Sequence, residues 1–132
     1  KMMPGKLVSA YDSRMTRPLA TEMTEEEWSE IAERDPAFAT VVCRCEKVTE
    51  GEILEALRRP LPPRSLDALK RRVRTGMGRC QGGFCTPRIM HILAYFYKVP
   101  IEKISKKGKG SEIVADRIQS GGIVTEIIEE KK

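Results

Sequence analysis

Four cysteines are the residues of this 132-residue sequence with the clearest capacity for chemistry. Cys43 and Cys45 form a C-x-C pair, and Cys80 and Cys85 form a C-x4-C pair after 34 intervening residues. Thiolates are soft ligands that select zinc, copper(I) or iron–sulfur clusters. Because four of them leave no open coordination position, we expect one site that binds a metal or passes electrons, and not a hydrolytic site.

Spacing and surroundings must distinguish zinc from an iron–sulfur cluster. Structural zinc sites usually present C-x2–4-C pairs, and the C-x-C pair here is tighter. If the segment 41–45 is extended, Cys43 and Cys45 point to the same side and suit neighbouring positions on one cofactor. A [2Fe–2S] cluster with four thiolates carries a formal charge of about −2. A tetrathiolate zinc site carries about the same charge, so charge alone leaves zinc open.

The glycine-rich loop at residues 76–85 favours the cluster. Gly82 and Gly83 allow backbone N–H groups to approach sulfur closely. Cys85 is expected at a helix N-terminus, where free N–H groups and the helix dipole favour negative charge. Three basic side chains within three residues of a cysteine are predicted to stabilise the cluster charge, namely Arg44, Arg79 and Arg88.

The elements that must position these cysteines are mainly helical. Capping boxes and apolar stripes predict helices over residues 25–34 and 50–58, a third over 66–74 with Gly76 as its C-terminal cap, and a fourth from about Pro87 to Tyr97. A short helix is predicted over 100–104 and a short strand over 6–11. The expected fold is therefore a small, mainly α domain, with a helix-turn-helix spacer between the cysteine pairs and irregular or short-strand arms at both ends.

Composition and charge exclude several classes. The sequence is 40% hydrophobic and 5% aromatic, which predicts a small aliphatic core. It contains no apolar run of the roughly 18 residues that span a membrane, and no secretory signal, so we expect no transmembrane segment and a cytoplasmic protein. In that compartment clustered cysteines are more often metal ligands than disulfides. Residues 43–98 carry 12 basic and 5 acidic side chains, a net charge of +7 around all four cysteines.

The cysteine motifs resemble those of the BFD-like [2Fe–2S]-binding domain, named after bacterioferritin-associated ferredoxin. The resemblance rests on the run Cys43-Arg44-Cys45-Glu46, the two-helix spacer and the run Gly76-Met77-Gly78-Arg79-Cys80-Gln81-Gly82-Gly83-Phe84-Cys85. It covers about residues 41–97. The C-x4-C spacing is similar to the version at the C-terminus of FAD-dependent dehydrogenases, especially the anaerobic glycerol-3-phosphate dehydrogenase family.

The resemblance implies a complete set of roles. It implies cluster ligation by four thiolates, those of Cys43, Cys45, Cys80 and Cys85. The domain would relay electrons from the reduced flavin of a parent dehydrogenase to an acceptor, and a subunit that is its redox partner is also expected. No dinucleotide-binding glycine motif follows a strand here, so the FAD is expected in a domain that this sequence lacks, and the chain alone is expected not to be catalytic.

The same resemblance divides the chain. Residues 1–23 are expected to be a linker or arm from the missing flavin domain, 24–40 an acidic helix and connection, 41–105 the BFD-like domain, and 106–132 a C-terminal extension.

Two other function classes remain open from the residues themselves. One is a zinc-stapled structural or interaction domain with the same four ligands, and recombinant material is able to hold zinc in place of a cluster. The other is a basic regulatory domain, since Lys70-Arg71-Arg72 followed by Arg74 could face nucleic acid. Acidic flanks and few aromatic residues favour a solvated helix face, so we expect no nucleic-acid partner. The single histidine, His91, is expected to be an ordinary helix residue and not a ligand.

Overall fold

The structure is a computed structural model that describes residues 20–114. Its elements in chain order are α1 (Glu25–Arg34), a 3-10 helix (Pro36–Ala39), β1 (Val41–Cys43), β2 (Val48–Thr49), α2 (Glu50–Arg58), α3 (Leu66–Val73), α4 (Cys85–Tyr97) and a second 3-10 helix (Ile101–Lys103). The mainly α fold class is confirmed. The strand predicted over residues 6–11 lies outside the described residues.

Two capping boxes begin α1 and α2 where the sequence predicts them. The Thr24 hydroxyl accepts the Glu27 backbone N–H, and the Glu27 carboxylate accepts the Thr24 N–H at 2.9 Å. Thr49 and Glu52 repeat this exchange inside the core, with 2.6 Å between the Thr49 nitrogen and the Glu52 carboxylate. Each box satisfies N–H groups that a helix start leaves without a partner, so both predicted helix ranges are confirmed.

The ends of the other helices differ slightly from the predicted ones. The third helix stops at Val73, because Arg74 takes a left-handed conformation with φ 61° and its N–H donates to the Lys70 carbonyl. The prediction that Gly76 caps this helix is therefore wrong by two residues, although Gly76 also has a positive φ, 75°. The segment predicted as a helix over 100–104 is a single 3-10 turn.

The C-x-C segment is only partly extended. Strand β1 ends at Cys43, which pairs antiparallel with Val48, and the chain reverses between them. Cys45 lies in that turn, and Lys47 closes it with φ 51°. The expectation that Cys43 and Cys45 share one side of an extended segment is therefore wrong, because the reversal moves Cys45 out of the strand.

The core is small and aliphatic, as the composition predicts. Its buried members come from β1, β2, the last three α-helices and the segment after them, and they are Val42, Cys43, Val48, Ile53, Ala56, Leu57, Leu69, Val73, Cys85, Ile89, Met90, Leu93 and Ile104. Two cysteines are thus core residues. In contrast, α1 buries no residue completely, and the Trp28 indole N–H holds it by donating to the Phe38 carbonyl at 2.9 Å.

Candidate metal centre

All four cysteines line one cavity of about 520 Å³. The other residues of its wall are Val41, Val42, Arg44, Phe84 and Arg88. The two-helix spacer makes this possible, because α2 and α3 pack together and return the loop at 76–84 to the end of β1. All four thiols are free. The structure thus gathers two sequence-distant pairs into one place.

Cys43 and Cys85 form the inner pair of the cavity. They are 1% and 2% exposed, at the end of β1 and at the first residue of α4. Burial is the main reason that the pKa of Cys85 is raised to about 11, and the neighbouring Cys43 thiol raises it further. A metal that binds Cys85 would have to displace this proton, because the metal ligand is the thiolate.

Cys45 and Cys80 form the outer pair. Cys45 is exposed and Cys80 is half-buried, and their sulfur atoms are 3.7 Å apart. The backbone N–H groups of Phe84 and Gly82 donate to the Cys80 sulfur, and the Cys45 thiol donates to it as well. These hydrogen bonds lower the pKa of Cys80, with the two backbone groups contributing most. Cys80 therefore loses its proton more easily than Cys85 does.

The spacing of the outer sulfurs fits two ligands of one tetrahedral metal. Two metal–sulfur bonds of about 2.3 Å at the tetrahedral angle place the sulfurs about 3.8 Å apart. Within residues 20–114, however, no three His, Cys, Asp or Glu side chains are arranged around a single ion position. Two pairs of thiols match the donor set of a [2Fe–2S] cluster, which takes four cysteines over two irons. Four thiols arranged as two pairs therefore fit a two-iron cluster.

Three glycines of the loop, Gly78, Gly82 and Gly83, lie against the outer cysteines. Gly82 has φ 88° and directs its N–H to the Cys80 sulfur, and the Gly83 N–H donates to the Cys80 carbonyl at 2.9 Å. A Cβ on Gly78 would collide with the Cys45 side chain and lie 3.3 Å from its Cα. The sequence indicates a glycine loop around sulfur, but only the folded chain identifies Gly78 as the residue pressed against Cys45.

The three predicted arginines have different positions. Arg44 and Arg88 line the cavity, whereas Arg79 is exposed on the loop and is not part of the cavity wall. The Arg88 guanidinium donates to the Glu50 carboxylate at 3.2 Å, which offsets part of its charge. Stabilisation of cluster charge therefore stays a prediction for all three, with the geometry most favourable for Arg44 and Arg88.

A small helical domain that brings four free thiols into a cavity open to solvent is a cysteine-ligated metal or redox domain. Residues 41–95 match the family model of the BFD-like [2Fe-2S] binding domain. This part of the chain belongs to that family, its cofactor is a [2Fe–2S] cluster and its role is iron–sulfur electron transfer. The resemblance drawn from the cysteine motifs is confirmed.

The curated relatives that match this domain are oxidoreductases or their subunits. The chain is 46% identical over 107 residues to a glycerol 3-phosphate dehydrogenase of Caloramator mitchellensis, covering 81% of this chain and 22% of that protein. It is 46% identical over 57 residues to one of the subunits of the anaerobic glycerol-3-phosphate dehydrogenase of Escherichia coli, covering 43% and 10%. With one of the opine oxidase subunits of Rhizobium meliloti, the identity is 45% over 60 residues, covering 46% and 11%.

The chain therefore spans about a fifth of the first of these relatives and about a tenth of the other two. No solved structure matches it. Among the helices of residues 20–114, none has both the length and the apolar character needed to cross a bilayer.

Proposed function

We propose that this chain is the C-terminal electron-transfer domain of an FAD-dependent oxidoreductase that acts on glycerol 3-phosphate or a related substrate. The observation that carries the proposal is the cavity itself, whose inner pair is anchored in the core and whose outer pair reaches solvent. When bound, a [2Fe–2S] cluster accepts and donates one electron at a time. Identity to glycerol-3-phosphate dehydrogenases over this part of the chain supports the choice of parent.

In this proposal each residue of the cavity has a defined task. Cys43, Cys45, Cys80 and Cys85 hold the cluster. Gly82 and Gly83 bring backbone N–H groups toward sulfur, and these N–H groups stabilise negative charge on it. Arg44 and Arg88 add positive charge at the wall, and Arg79 adds it from the exposed loop. Val42 and Phe84 contribute apolar surface to the cavity wall.

The proposed relay needs parts outside this chain. The flavin of the parent takes two electrons from the substrate alcohol, and they leave singly through this domain to an acceptor on a separate protein chain. Two of the relatives are themselves subunits of larger oxidoreductases, which supports such a second chain. In this arrangement residues 1–23 are the linker from the flavin domain, and the acidic segment 24–40 connects that linker to the iron–sulfur domain at 41–105. Residues 106–132 are a C-terminal extension of the iron–sulfur domain.

Two further expectations accompany the proposal. Cytoplasmic location rests on the free thiols, which need a reducing compartment until the cluster is inserted. Absence of a nucleic-acid partner remains a prediction, with one supporting contact: Arg74, next to the basic helix face, donates to Glu46 at 2.9 Å within the domain.

The relay is tested with the full-length protein that carries this chain. The flavin is reduced anaerobically with glycerol 3-phosphate in a stopped-flow instrument, and flavin and cluster absorbance are followed together. We expect the flavin signal to fall first and the cluster signal to follow within the turnover time. In the Cys80→Ser variant the flavin should still be reduced while the visible cluster signal is altered or lost. Turnover at the normal rate with a cluster that stays oxidised would contradict the relay.

A further inference from the structure

An ion pair joins the two segments that carry the outer cysteines. Glu46 directly follows Cys45 in the turn between β1 and β2, and Arg74 is the first residue after α3, two residues before the glycine loop. The Arg74 Nε donates to the Glu46 Oε2 at 2.9 Å, across 28 residues of sequence. The Glu46 side chain is 20% exposed and the Arg74 side chain 58%. The pair is therefore a long-range link between the turn and the loop, with one member partly shielded from solvent.

The backbone of Arg74 has a conformation that an arginine seldom adopts. Its φ of 61° and ψ of 10° lie in the left-handed region, where a Cβ crowds the following carbonyl. Glycine is the usual residue of this conformation at the end of a helix, because it has no Cβ. The Arg74 N–H donates to the Lys70 carbonyl, and the Arg74 carbonyl accepts the Met77 N–H at 3.1 Å. An arginine at a position that suits glycine indicates a use for its side chain.

The turn and the loop also meet at two other places. The Gly78 backbone lies so close to the Cys45 side chain that a Cβ on Gly78 would collide with it. The Cys45 and Cys80 sulfurs are 3.7 Å apart, as two ligands of one tetrahedral metal would be. Of these three contacts, the ion pair is the one that involves neither a ligand nor a glycine. It is therefore the contact that a substitution removes without changing the cysteines or the loop backbone around them.

The outer cysteines need such a link because the core does not hold them. Cys43 and Cys85 are core residues, whereas Cys45 is exposed in a turn and Cys80 is half-buried in a loop. A ligand set that is already held in its bound arrangement loses less entropy when it binds its metal. An ion pair that ties the turn to the start of the loop limits how far the two outer sulfurs separate.

We propose that Glu46 and Arg74 are positioning residues that clamp the outer pair of cysteines at ligand distance. The proposal rests on the proposed ligation of the cluster by four cysteines. Neither residue is part of the cavity wall, so the clamp acts through Cys45 and Cys80. When one metal–sulfur bond opens, the clamp keeps the turn beside the loop, and the same sulfur rebinds before the cluster is lost. Retention of the cluster is therefore the property that the clamp controls.

The clamp and a simple effect of charge predict opposite results at Glu46. A cluster with four thiolates carries about −2, so removal of a neighbouring carboxylate would stabilise it by charge alone. If the carboxylate instead holds Arg74, its removal releases the loop and the cluster is lost faster. The direction of the change in Glu46→Ala separates the two explanations.

The test uses the cluster-loaded full-length protein that carries this chain. Cluster loss to excess EDTA under anaerobic conditions is followed by visible absorbance in the wild type, Arg74→Gly, Glu46→Ala and the double variant. Lys98→Gly is the matched control, because Lys98 also ends a helix with a positive φ, 53°, and lies about 20 Å along α4 from Cys85. Hydrogen exchange of the metal-free protein, measured by mass spectrometry on peptides from α2 and α4, reports the stability of the domain itself.

We expect Arg74→Gly and Glu46→Ala each to speed cluster loss about fivefold, the effect of losing one ion pair. The double variant should lose the cluster no faster than either single variant, because the two side chains act as one unit. Hydrogen exchange in Arg74→Gly should stay within about twofold of the wild type, since the relaxed backbone offsets the lost ion pair. Lys98→Gly should leave the cluster lifetime unchanged.

Several results would overturn the clamp. Unchanged or slower cluster loss in Glu46→Ala would do so, and slower loss would assign the effect to charge. Faster cluster loss in Arg74→Gly with equally faster hydrogen exchange would show that Arg74 supports the fold in general. Equal cluster lifetimes in Arg74→Gly and Lys98→Gly would show that its side chain has no role in retention. If the wild-type protein assembles no cluster, the proposed ligation fails and the clamp fails with it.

Discussion

The inner and outer cysteine pairs sit in opposite environments within one cavity. Cys43 and Cys85 belong to the hydrophobic core, on a strand end and a helix start, and the pKa of Cys85 is raised to about 11. Cys45 and Cys80 lie on a turn and a loop, reach solvent, and the pKa of Cys80 is lowered. In the proposed function, the inner pair would attach the cofactor to the fold, and the outer pair would keep it accessible for electron exchange.

This difference explains how a small aliphatic core supports a redox centre. In the proposed assignment, a cluster held by two core residues would add a staple between β1 and α4, which are far apart in sequence. The outer side then needs no core of its own, since backbone N–H groups of the glycine loop stabilise sulfur there.

The largest expected effect comes from removing an inner ligand. In Cys85→Ser, iron per chain should fall roughly tenfold or more, because a buried hydroxyl replaces a thiolate at the start of α4. In Cys80→Ser, the matched outer variant, we expect a reduced amount of cluster with a shifted visible spectrum, because an exposed serine is able to substitute as a ligand. Iron and labile sulfide analysis after anaerobic purification measures both. Equal loss in both variants would remove the distinction between the pairs.

Thiol labelling should separate the pairs next. At pH 8 the pKa of about 11 leaves roughly one Cys85 in a thousand as thiolate, whereas the lowered pKa of Cys80 favours its thiolate. Iodoacetamide should therefore modify Cys80 of the folded, metal-free protein at least about a hundredfold faster than Cys85, as peptide mass spectrometry reports. Raising the pH toward 11 should speed up labelling of Cys85 far more than labelling of Cys80. Protein unfolded in urea is the control, with similar rates at both cysteines.

A glycine substitution tests the closeness of the outer ligands. Gly78→Ala places a Cβ against Cys45 and should destabilise the cluster-bound state by about 1–3 kcal/mol, a typical cost of overpacking. At 2 kcal/mol this is a loss of about thirtyfold in the equilibrium constant. Gly108→Ala is the matched control, because its Cβ meets nothing within 4 Å. Thermal unfolding followed at the cluster absorbance gives the midpoint for both variants. Similar midpoints would contradict the prediction, because they would show that the loop shifts to accommodate the added Cβ.

The smallest expected effect concerns charge at the wall. Removing the Arg88 guanidinium in Arg88→Ala should lower the reduction potential by roughly 30 mV, about threefold in equilibrium, because a half-exposed charge paired with Glu50 acts weakly on an anion. Arg71→Ala, an exposed arginine outside the cavity, serves as the control. Potentiometric titration of the cluster signal gives the numbers. A larger shift for Arg71 than for Arg88 would mean that net charge, and not local position, sets the potential.

The helices were predictable because their signals are local. Thr24 with Glu27 and Thr49 with Glu52 define helix starts within four residues, and both appear where the sequence places them. The family, too, follows from short motifs around the cysteines. The prediction failed at Cys45, because the antiparallel pairing of Cys43 with Val48, five residues further along the chain, makes a tight reversal that moves Cys45 into a turn.

The inner and outer character of the ligands was not predictable. All four cysteines look alike in the sequence, and their burial depends on how α2 and α3 return the loop to β1. The same holds for Arg88, whose partner Glu50 lies 38 residues away. The prediction that Gly76 ends the third helix failed because Arg74 adopts the left-handed conformation without being glycine.

The central claim is that four cysteines hold one [2Fe–2S] cluster able to exchange electrons. Its most direct test is iron, labile sulfide and zinc analysis of the protein made in iron-replete anaerobic cells, together with its visible spectrum before and after dithionite. We predict a reddish-brown protein with about two irons and two sulfides per chain, whose colour bleaches on reduction and returns on oxidation. A colourless protein with one stoichiometric zinc would contradict the account.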